Sequence, residues 1–397
     1  MKELLKDNEL WKIPAVNTHC HHLKEPFFEE ISLHKLLQMT YVSWLIPDSG
    51  DSQEGHALYF SKMKTNSYFY WWRRAVETLY GNGRKLTAKN WEWFDNTIQQ
   101  AYSTAESRDI NLLTQACRYR AILLDDYNNP GSDHELPPLM RPVFRCDMFL
   151  CGYVRGKTDE NHNHAYDYFS HCPDSLDEYV AEMKLAVQTA VRKGAVGLKI
   201  AIAYERSLEF SSTSFLKAKE AFGREDASQE QIKAFGDYIM FELAKIAAEL
   251  SIPIQIHTGL GALSQSRAIG LRDLIAANPE TKFDIFHGSY PWCSDALGLA
   301  HNFSNVYLDL CWMPLISTTR SISFLREALE LIEADRILWG CDTWTSEESY
   351  GARMAAHHCL LQVLNSFIEE DMLNHEEALE YAENILSGNA ARLYGLF

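Results

Sequence analysis

Hydrophobic and polar positions in the second half of the chain alternate between helical and strand patterns. LDEYVAEMKLAVQTAVRK has the period of an amphipathic helix that ends before Gly194, and AVGLKIAIAY then predicts a buried strand. The next helix begins at Ser228, and Gln231 follows at capping-box spacing. Its apolar stripe has residues three or four apart: Ile232, Phe235, Ile239, Leu243, Ile246 and Leu250. This alternation predicts βαβ units and a parallel sheet.

Eight segments of the chain have strand character. They are PAVNTH, YRAILLDD (119–126), RPVFRCDMF (141–149), AVGLKI, IPIQIH, KFDIFH, NVYLDL and RILWGC. Eight parallel strands that alternate with helices form a (β/α)8 TIM barrel, so the expected fold class is α/β. Barrels of this type exceed the usual domain length. We therefore expect residues 1–397 to form a single domain.

The connection after the first predicted strand is too long for a simple loop. Residues 24–115 have helical patterns and carry the aromatic-basic cluster YFYWWRR (68–74). Loops that follow the strands of a barrel lie at the face that carries the active site. The sequence thus predicts a helical insertion that contributes to a substrate pocket.

Composition narrows the functional classes. The 397 residues are 46% apolar and include 54 acidic and 37 basic side chains, for a net charge of -17. No basic block is present to neutralise phosphates, so nucleic-acid binding is not expected. No signal-peptide core and no run of about 18 apolar residues occurs, so no membrane insertion is expected. Nine cysteines without a CxxC pair, among them Cys146 and Cys341 in predicted strands, favour a reduced cytoplasmic protein.

Potential metal ligands follow the apolar runs of several predicted strands. They are His19, His21, Lys199, His257, His287 and Asp342. The C-terminal ends of the strands of a (β/α)8 barrel meet at one face, so we expect these side chains to build one site. The pattern indicates a metal-dependent enzyme.

His19 and His21 are the sharpest local signal. Side chains two apart on a strand point to the same face, so both imidazoles can reach one ion. His162 and His164 have the same spacing, but the surrounding KTDENHNHAYDY is polar and no strand precedes it. We expect a solvated loop there.

Lys199 lies near the end of the apolar strand AVGLKI. A buried lysine is costly unless it is paired or chemically altered. Two alternatives follow. The lysine is an ammonium that a nearby carboxylate neutralises or that donates to substrate, or it has taken up CO2 to become a carbamate that can bridge two metals.

His257 and His287 each end a strand and are followed by glycine within two residues. A lone histidine of this kind is commonly a hydrogen-bonded core residue, whereas two on consecutive strands after a histidine pair indicate ligands. Asp342 closes the last strand in WGCDTW, where a carboxylate can bind a metal and accept a proton from metal-bound water.

The order of these residues resembles that of the amidohydrolase superfamily of metal-dependent barrels. The shared pattern is HxH on strand one, Lys on four, His on five and six, and Asp on eight. IQIHTG, FHGSYPW, ILWGCDTW and ILSGNAARLYGL are similar to the amidohydrolase-2 branch, and YFYWWRRAVETLYG and FRCDMF are similar to the uronate isomerase group. Many members have DxHxH on strand one, whereas this chain has Asn17 in place of that aspartate.

The resemblance implies a centre of one or two divalent ions of the zinc type, with Mn, Fe or Co as alternatives. It implies that a metal-bound water attacks a carbonyl or ester carbon and that Asp342 takes the proton as general base. The implied ligands of the first ion are His19, His21 and Asp342, and those of the second are His257 and His287, with Lys199 as a bridging carbamate.

Further residues are expected at the mouth of the barrel, where they can contact substrate. They are Trp72, Arg73, Tyr204, Arg206, Trp292, Trp312 and Trp344. Core or surface packing is the alternative for each. An arginine in such a pocket indicates a carboxylate or phosphate on the substrate, so we expect a small acidic or polyhydroxylated molecule, and a homo-oligomer is a further expectation.

Three functions are open from the sequence. The first is a hydrolase of a small amide, ester or lactone, which Lys199 favours. The second is a uronate-isomerase-like sugar-acid isomerase or a decarboxylase that uses one metal, which the insertion favours. The third is a barrel with a structural metal, which is disfavoured because a structural zinc site usually closes with four ligands and six candidates are present.

Overall fold

The structure is a computed structural model that describes residues 2–24, 27–44, 50–105 and 107–397. Its strands are β1 (Ala15–Cys20), β2 (Tyr119–Leu124), β3 (Met140–Arg145), β4 (Gly197–Ile200), β5 (Ile254–Ile256), β6 (Phe283–Ile285), β7 (Val306–Asp309) and β8 (Ile337–Leu338). They form one sheet in the order β1 to β8. From β3 to β8 all neighbours are parallel. Eight strands in chain order, most of them separated by helices, confirm the predicted (β/α)8 fold class.

The α-helices of the described residues precede, separate and follow these strands. They are α1 (Asp7–Leu10), α2 (Leu33–Gln38), α3 (Gln53–Met63), α4 (Ser67–Tyr80), α5 (Trp91–Thr104), α6 (Arg108–Asn111), α7 (Asp147–Cys151), α8 (Leu176–Arg192), α9 (Phe215–Lys219), α10 (Gln229–Leu250), α11 (Arg272–Ala277), α12 (Cys293–Asn302), α13 (Met313–Ile316), α14 (Thr318–Leu331), α15 (Ser346–Glu369), α16 (His375–Glu383) and α17 (Asn389–Tyr394). None of the helices in these described ranges is long and apolar enough to cross a membrane.

The contacts within the chain divide it into two compact units. Unit 1 consists of Met1–Ile122, Leu310–Glu327 and Trp339–Gly388, and unit 2 consists of Leu123–Asp309, Ala328–Leu338 and Asn389–Phe397. Both units are therefore built from segments that are distant in the chain. A single domain over residues 1–397 stays a prediction.

The expected insertion between β1 and β2 is helical in its described part, where it contains α2 to α6. Residues 25–26, 45–49 and 106 of the predicted range 24–115 lie outside the described residues. Helix α4 packs on α15 so closely that a Cβ at Gly351 would lie 2.9 Å from the backbone oxygen of Trp71. The insertion thus supplies one wall of the core of unit 1.

Helix α10 of unit 2 begins as its sequence predicts. The Ser228 hydroxyl accepts a hydrogen bond from the Gln231 N–H, and the Gln231 side chain accepts one from the Ser228 N–H. Phe235, Ile239 and Leu243 of the apolar stripe are buried. The predicted capping box and helix are therefore confirmed.

The predicted third strand extends into a segment that is helical in the structure. RPVFRCDMF predicts a strand to residue 149, but β3 ends at Arg145 and α7 begins at Asp147. The Asp147 carboxylate accepts a hydrogen bond of 2.8 Å from the N–H of Ala201 and lies 3.1 Å from Arg145 Nη1. These contacts hold the chain in a turn just after β3, so Met148 and Phe149 are buried as helical residues and not as strand residues.

Candidate metal centre

The predicted ligands of unit 1 converge in the structure. The rings of His19 and His21 have their centroids 4.7 Å apart at an angle of 86°. Asp342 Oδ1 lies 3.1 Å from His21 Nε2 and 4.0 Å from His19 Nε2. One ligand atom from each of the three residues lies within 4.8 Å of the other two, and all three residues are buried. The structure thus brings together three residues that are distant in the chain.

This donor set fits a divalent transition metal. Imidazole nitrogens and carboxylate oxygens bind Zn at about 2.0–2.2 Å, so two ligand atoms of a tetrahedral ion are about 3.3 Å apart. The separations of 3.1 and 4.0 Å in the His19, His21 and Asp342 cluster are close to this value. The three residues can therefore hold one ion with small side-chain movements.

The backbone around Asp342 places its carboxylate beside β1. Its φ of 53° is in the left-handed region, and its N–H donates to the carbonyl oxygen of His19 at 2.9 Å. Two residues earlier, a Cβ at Gly340 would lie 2.3 Å from Thr18 Oγ1. The glycine of WGCD is therefore needed for the close approach of this segment to β1.

Asn17, the departure from the DxHxH pattern, links the two segments that carry the ligands. Its side-chain oxygen accepts hydrogen bonds from the N–H groups of His19, at 3.2 Å, and Cys341, at 2.8 Å. These are bonds that an aspartate oxygen could also accept. Asn17 thus keeps the ligand segments together without a second buried charge.

Tyr41 is a site residue that sequence reasoning missed. Its hydroxyl donates to Asp342 Oδ1 at 3.1 Å. Its ring centroid lies 4.7 Å from that of Trp312 and 6.1 Å from that of Trp344. The Trp344 ring in turn lies 5.0 Å from His21. Trp312 and Trp344, predicted to line the mouth, therefore belong to the surroundings of this cluster.

Glu348 of α15 is a second residue that the sequence did not reveal. It is buried, accepts hydrogen bonds from the Tyr68 hydroxyl at 2.5 Å and the Trp344 N–H at 2.7 Å, and so fixes the segment after Asp342. Burial raises the pKa of Glu348 to about 8, and the nearby Asp342 carboxylate adds to the rise, while these hydrogen bonds lower it.

Unit 2 carries the other two predicted histidine ligands as a pair. His287 Nε2 lies 3.1 Å from His257 Nδ1. The other ring nitrogen of His257, Nε2, donates to the carbonyl oxygen of Leu260 at 2.7 Å. A carbonyl only accepts, so neutral His257 carries its proton on Nε2 and presents the lone pair of Nδ1 to His287. Such an orienting carbonyl is common behind metal-ligating histidines.

Lys199, also in unit 2, is buried beside acidic and aromatic groups. Its Nζ lies 3.9 Å from the centroid of the Phe286 ring. Burial raises the pKa of Asp284 and the carboxylate of Asp309 raises it further, while the hydrogen bond from Tyr394 and the charge of Lys199 lower it. The two alternatives for Lys199, an ammonium or a carbamate, both stay predictions.

Three predicted substrate contacts lie in unit 2. Tyr204 is 41% exposed, and its ring centroid lies 4.8 Å from that of His257. Arg206 forms an ion pair with Asp237 of α10, so its charge is already compensated. Trp292 lies 5.7 Å below the guanidinium of Arg267. These contacts therefore place one of the three residues, Tyr204, beside a predicted ligand.

The two candidates from the insertion are placed differently. Trp72 is 1% exposed and packs on Phe69 in the core, which is the packing alternative of the sequence analysis. Arg73 lies 3.6 Å from Glu77 on the same helix. Contact of either residue with substrate stays a prediction.

The second HxH sequence is a loop, as expected. His162 and His164 are separated by Asn163, whose N–H and side-chain amide donate to the carboxylate of Asp159. This network closes a turn on itself.

The fold and the histidine-carboxylate cluster define a metal-binding barrel. Residues 163–396, more than half of the chain, match the family model described as amidohydrolase. The chain belongs to the amidohydrolase family.

Solved structures and one curated protein are similar to this chain. Over 98% of this chain it resembles a uronate isomerase from Thermotoga maritima (TM-score 0.77, 15% identity, 96% of that chain) and a putative metal-dependent hydrolase from Lactobacillus casei (TM-score 0.71, 18% identity, 97% of that chain). At these identities the likeness shows the fold alone. The protein fluG of Emericella nidulans is 37% identical over 150 residues, which are 36% of this chain and only 17% of fluG.

Proposed function

We propose that this chain is a metal-dependent hydrolase of a small amide, ester or lactone, with Asp342 as general base. The convergence of His19, His21 and Asp342 in a buried cluster carries the proposal. A carboxylate in this position can act both as a ligand and as an acceptor of a proton. Membership of the amidohydrolase family supports the same reaction class.

The residues around the cluster have distinct roles in this proposal. A divalent ion held there supplies a Lewis acid that polarises an oxygen and lowers the pKa of water. His19 and His21 hold the ion. Tyr41 orients Asp342 through its hydrogen bond to Oδ1, and the Asp342 carboxylate takes and returns the proton. The indoles of Trp312 and Trp344 limit the access of bulk water.

The substrate is proposed to be small and acidic or polyhydroxylated. Tyr204 is the exposed aromatic side chain beside His257 that is available for stacking on such a molecule. Arg206 is paired with Asp237, so it offers a substrate anion less charge than a solvated arginine does. We propose neither nucleic acid nor membrane as a partner.

A sugar-acid isomerase or decarboxylase is the second candidate, and the surroundings of Lys199 favour it. The charge of Lys199 lowers the pKa of the buried Asp284, as an ammonium does, whereas a carbamate would place a negative charge near Asp284 and raise that pKa. Without a carbamate the bridging ligand for two ions is missing, and a one-metal reaction follows. In that reaction Asp342 moves a proton between neighbouring carbons or oxygens of the substrate.

Metal content tests the cluster directly. Purified protein is expected to bind one or two divalent ions per chain, and His19→Ala/His21→Ala is expected to lose at least one. His162→Ala/His164→Ala is the matched control, because it removes an HxH pair of equal spacing from a loop. Equal metal content in the three folded proteins would contradict the proposal.

Two measurements separate the candidate reactions. Hydrolysis of a lactone or amide places oxygen from H2¹⁸O in the carboxylate of the product, whereas isomerisation of a uronate labels no carboxylate oxygen, so turnover in labelled water distinguishes the two reactions. The intact mass of metal-loaded protein under mild conditions reports whether Lys199 carries an added CO2, with Lys199→Met as the reference. An unmodified lysine favours the isomerase, and an added CO2 favours the hydrolase.

A further inference from the structure

A second group of histidine and aspartate side chains lies in the insertion of unit 1. It consists of His34 on α2, His56 on α3 and Asp51, one residue before the Ser52 N-cap of α3. One ligand atom of each lies within 4.8 Å of the other two. We infer that these three residues form a binding site for a divalent transition-metal ion, separate from the His19, His21 and Asp342 cluster.

The geometry around His56 is built for a fixed imidazole. Its ring stacks on the indole of Trp91 with centroids 3.9 Å apart and an angle of 18°. His56 Nε2 lies 2.8 Å from Asp51 Oδ1. Stacking fixes the plane of the ring, so Nε2 stays directed at the carboxylate. A ligand whose orientation is fixed before binding loses little conformational entropy on binding.

His34 completes the set from the neighbouring helix. Its ring centroid lies 6.2 Å from that of His56, at an angle of 52°. Nitrogen and oxygen ligands of one Zn are about 3.3 Å apart in a tetrahedral site, so side-chain rotation of His34 and the exposed Asp51 suffices to close the group on an ion.

The charges near the group favour a cation. A further carboxylate, that of Asp95, lies near the group of His34, Asp51 and His56. It accepts a 2.6 Å hydrogen bond from the Leu33 N–H. Burial raises the pKa of Asp95, the hydrogen bond from Leu33 lowers it, and the negative charge of Asp51 raises it further. Two carboxylates that repel each other are stabilised by a bound cation.

The donor types indicate which ions bind. Two imidazoles and a carboxylate suit Zn, Co, Ni or Cu, whereas Mg and Ca prefer sites built from oxygen alone. An imidazole binds a metal ion in its neutral form. The ion would join α2 and α3 within the insertion.

Equilibrium dialysis of the full chain against micromolar Zn²⁺ tests the site. We expect His34→Gln to bind one equivalent less than the wild type, and the exposed Asp51→Asn, which is not expected to affect folding, to bind Zn²⁺ at this site at least tenfold more weakly. His301→Gln, an exposed histidine in unit 2, is the control and is expected to bind as the wild type does. Mg²⁺ at the same concentration is expected to leave the Zn²⁺ count unchanged.

The outcomes for the two metal sites are independent. If folded His34→Gln and Asp51→Asn bind Zn²⁺ as the wild type does, the site in the insertion does not exist, whatever the His19→Ala/His21→Ala protein does. Both sites are supported if the His19→Ala/His21→Ala protein loses one ion but still binds the ion that is missing from His34→Gln. Loss of binding in His301→Gln as well would show nonspecific histidine binding and overturn the inference.

Discussion

Asp342 is the residue on which the proposed chemistry depends. Its left-handed backbone and the bond of its N–H to His19 position the carboxylate against His21. Asparagine has the same shape and keeps an oxygen donor, but it does not take a proton. General base catalysis contributes about 10²–10⁴-fold, so Asp342→Asn is expected to lose that factor in kcat while retaining part of the metal. Turnover near the wild-type rate would place the base elsewhere.

Glu348 makes a prediction about pH and stability. Its folded pKa of about 8 is above the usual 4.5, so the stability that its neutral form supplies is complete below pH 4.5 and is lost as the pH rises through 8. The free energy of unfolding of the wild type is expected to fall between pH 5 and 8 by up to about 1.4 kcal/mol per pH unit from this group.

Glu348→Gln mimics the neutral carboxyl and is expected to flatten this pH dependence. Urea unfolding at pH 5, 6, 7 and 8 measures the difference between the two slopes. Parallel curves for wild type and variant would show that Glu348 ionises in the folded protein with an ordinary pKa.

Single residues show why only part of the site was predictable. His19, His21 and Asp342 each follow an apolar run, and the known direction of barrel strands then implies that their side chains meet. Tyr41 and Glu348 lie in helical segments with many similar tyrosines and glutamates. Their role depends on long-range packing that no local pattern encodes. Lys199 was visible in the sequence, but the strand register that sets Asp284 level with it, across Gln255 of β5, became evident only from the structure.

At the scale of elements, the capping box of α10 gives a direct measure of local stabilisation. Ser228→Ala removes the hydroxyl that accepts the Gln231 N–H, which leaves a helical N–H without that partner. Loss of such a cap costs about 1 kcal/mol, so the urea midpoint is expected to fall accordingly. Ser212→Ala, in an exposed loop position, is the control and is expected to match the wild type.

Elements were predictable where one period extended over many residues. The long helix α10 has such a pattern, and the eight strands lie within short apolar runs, each near its predicted position. The end of β3 was missed because Met148 and Phe149 continue the apolar character of the strand. The switch to a helix there depends on polar contacts of Asp147 with Arg145 and with Ala201, which follows β4, and sequence periodicity does not contain these contacts.

At the scale of the whole molecule, a metal at the His19, His21 and Asp342 cluster would join segments more than 300 residues apart. An ion that binds only the folded state stabilises it by about 2.7 kcal/mol at 100 times its Kd. Removal of metal by a chelator is therefore expected to lower Tm, and addition of Zn²⁺ to restore it. The His19→Ala/His21→Ala protein is expected to show a smaller response, and an equal response would contradict metal binding at the cluster.

The division of unit 1 into three chain segments has a consequence for synthesis. Its first segment ends at Ile122, whereas the segment with Asp342 and α15 begins at Trp339. At about 5–20 residues per second, translation of the intervening chain takes roughly 10–40 s. During that interval α4 has emerged without its packing partner α15, and His19 and His21 without their carboxylate. The helical insertion therefore waits on the ribosome with an uncovered apolar face, where chaperones act, and the ligand cluster is completed only after the segment that begins at Trp339 has been synthesised.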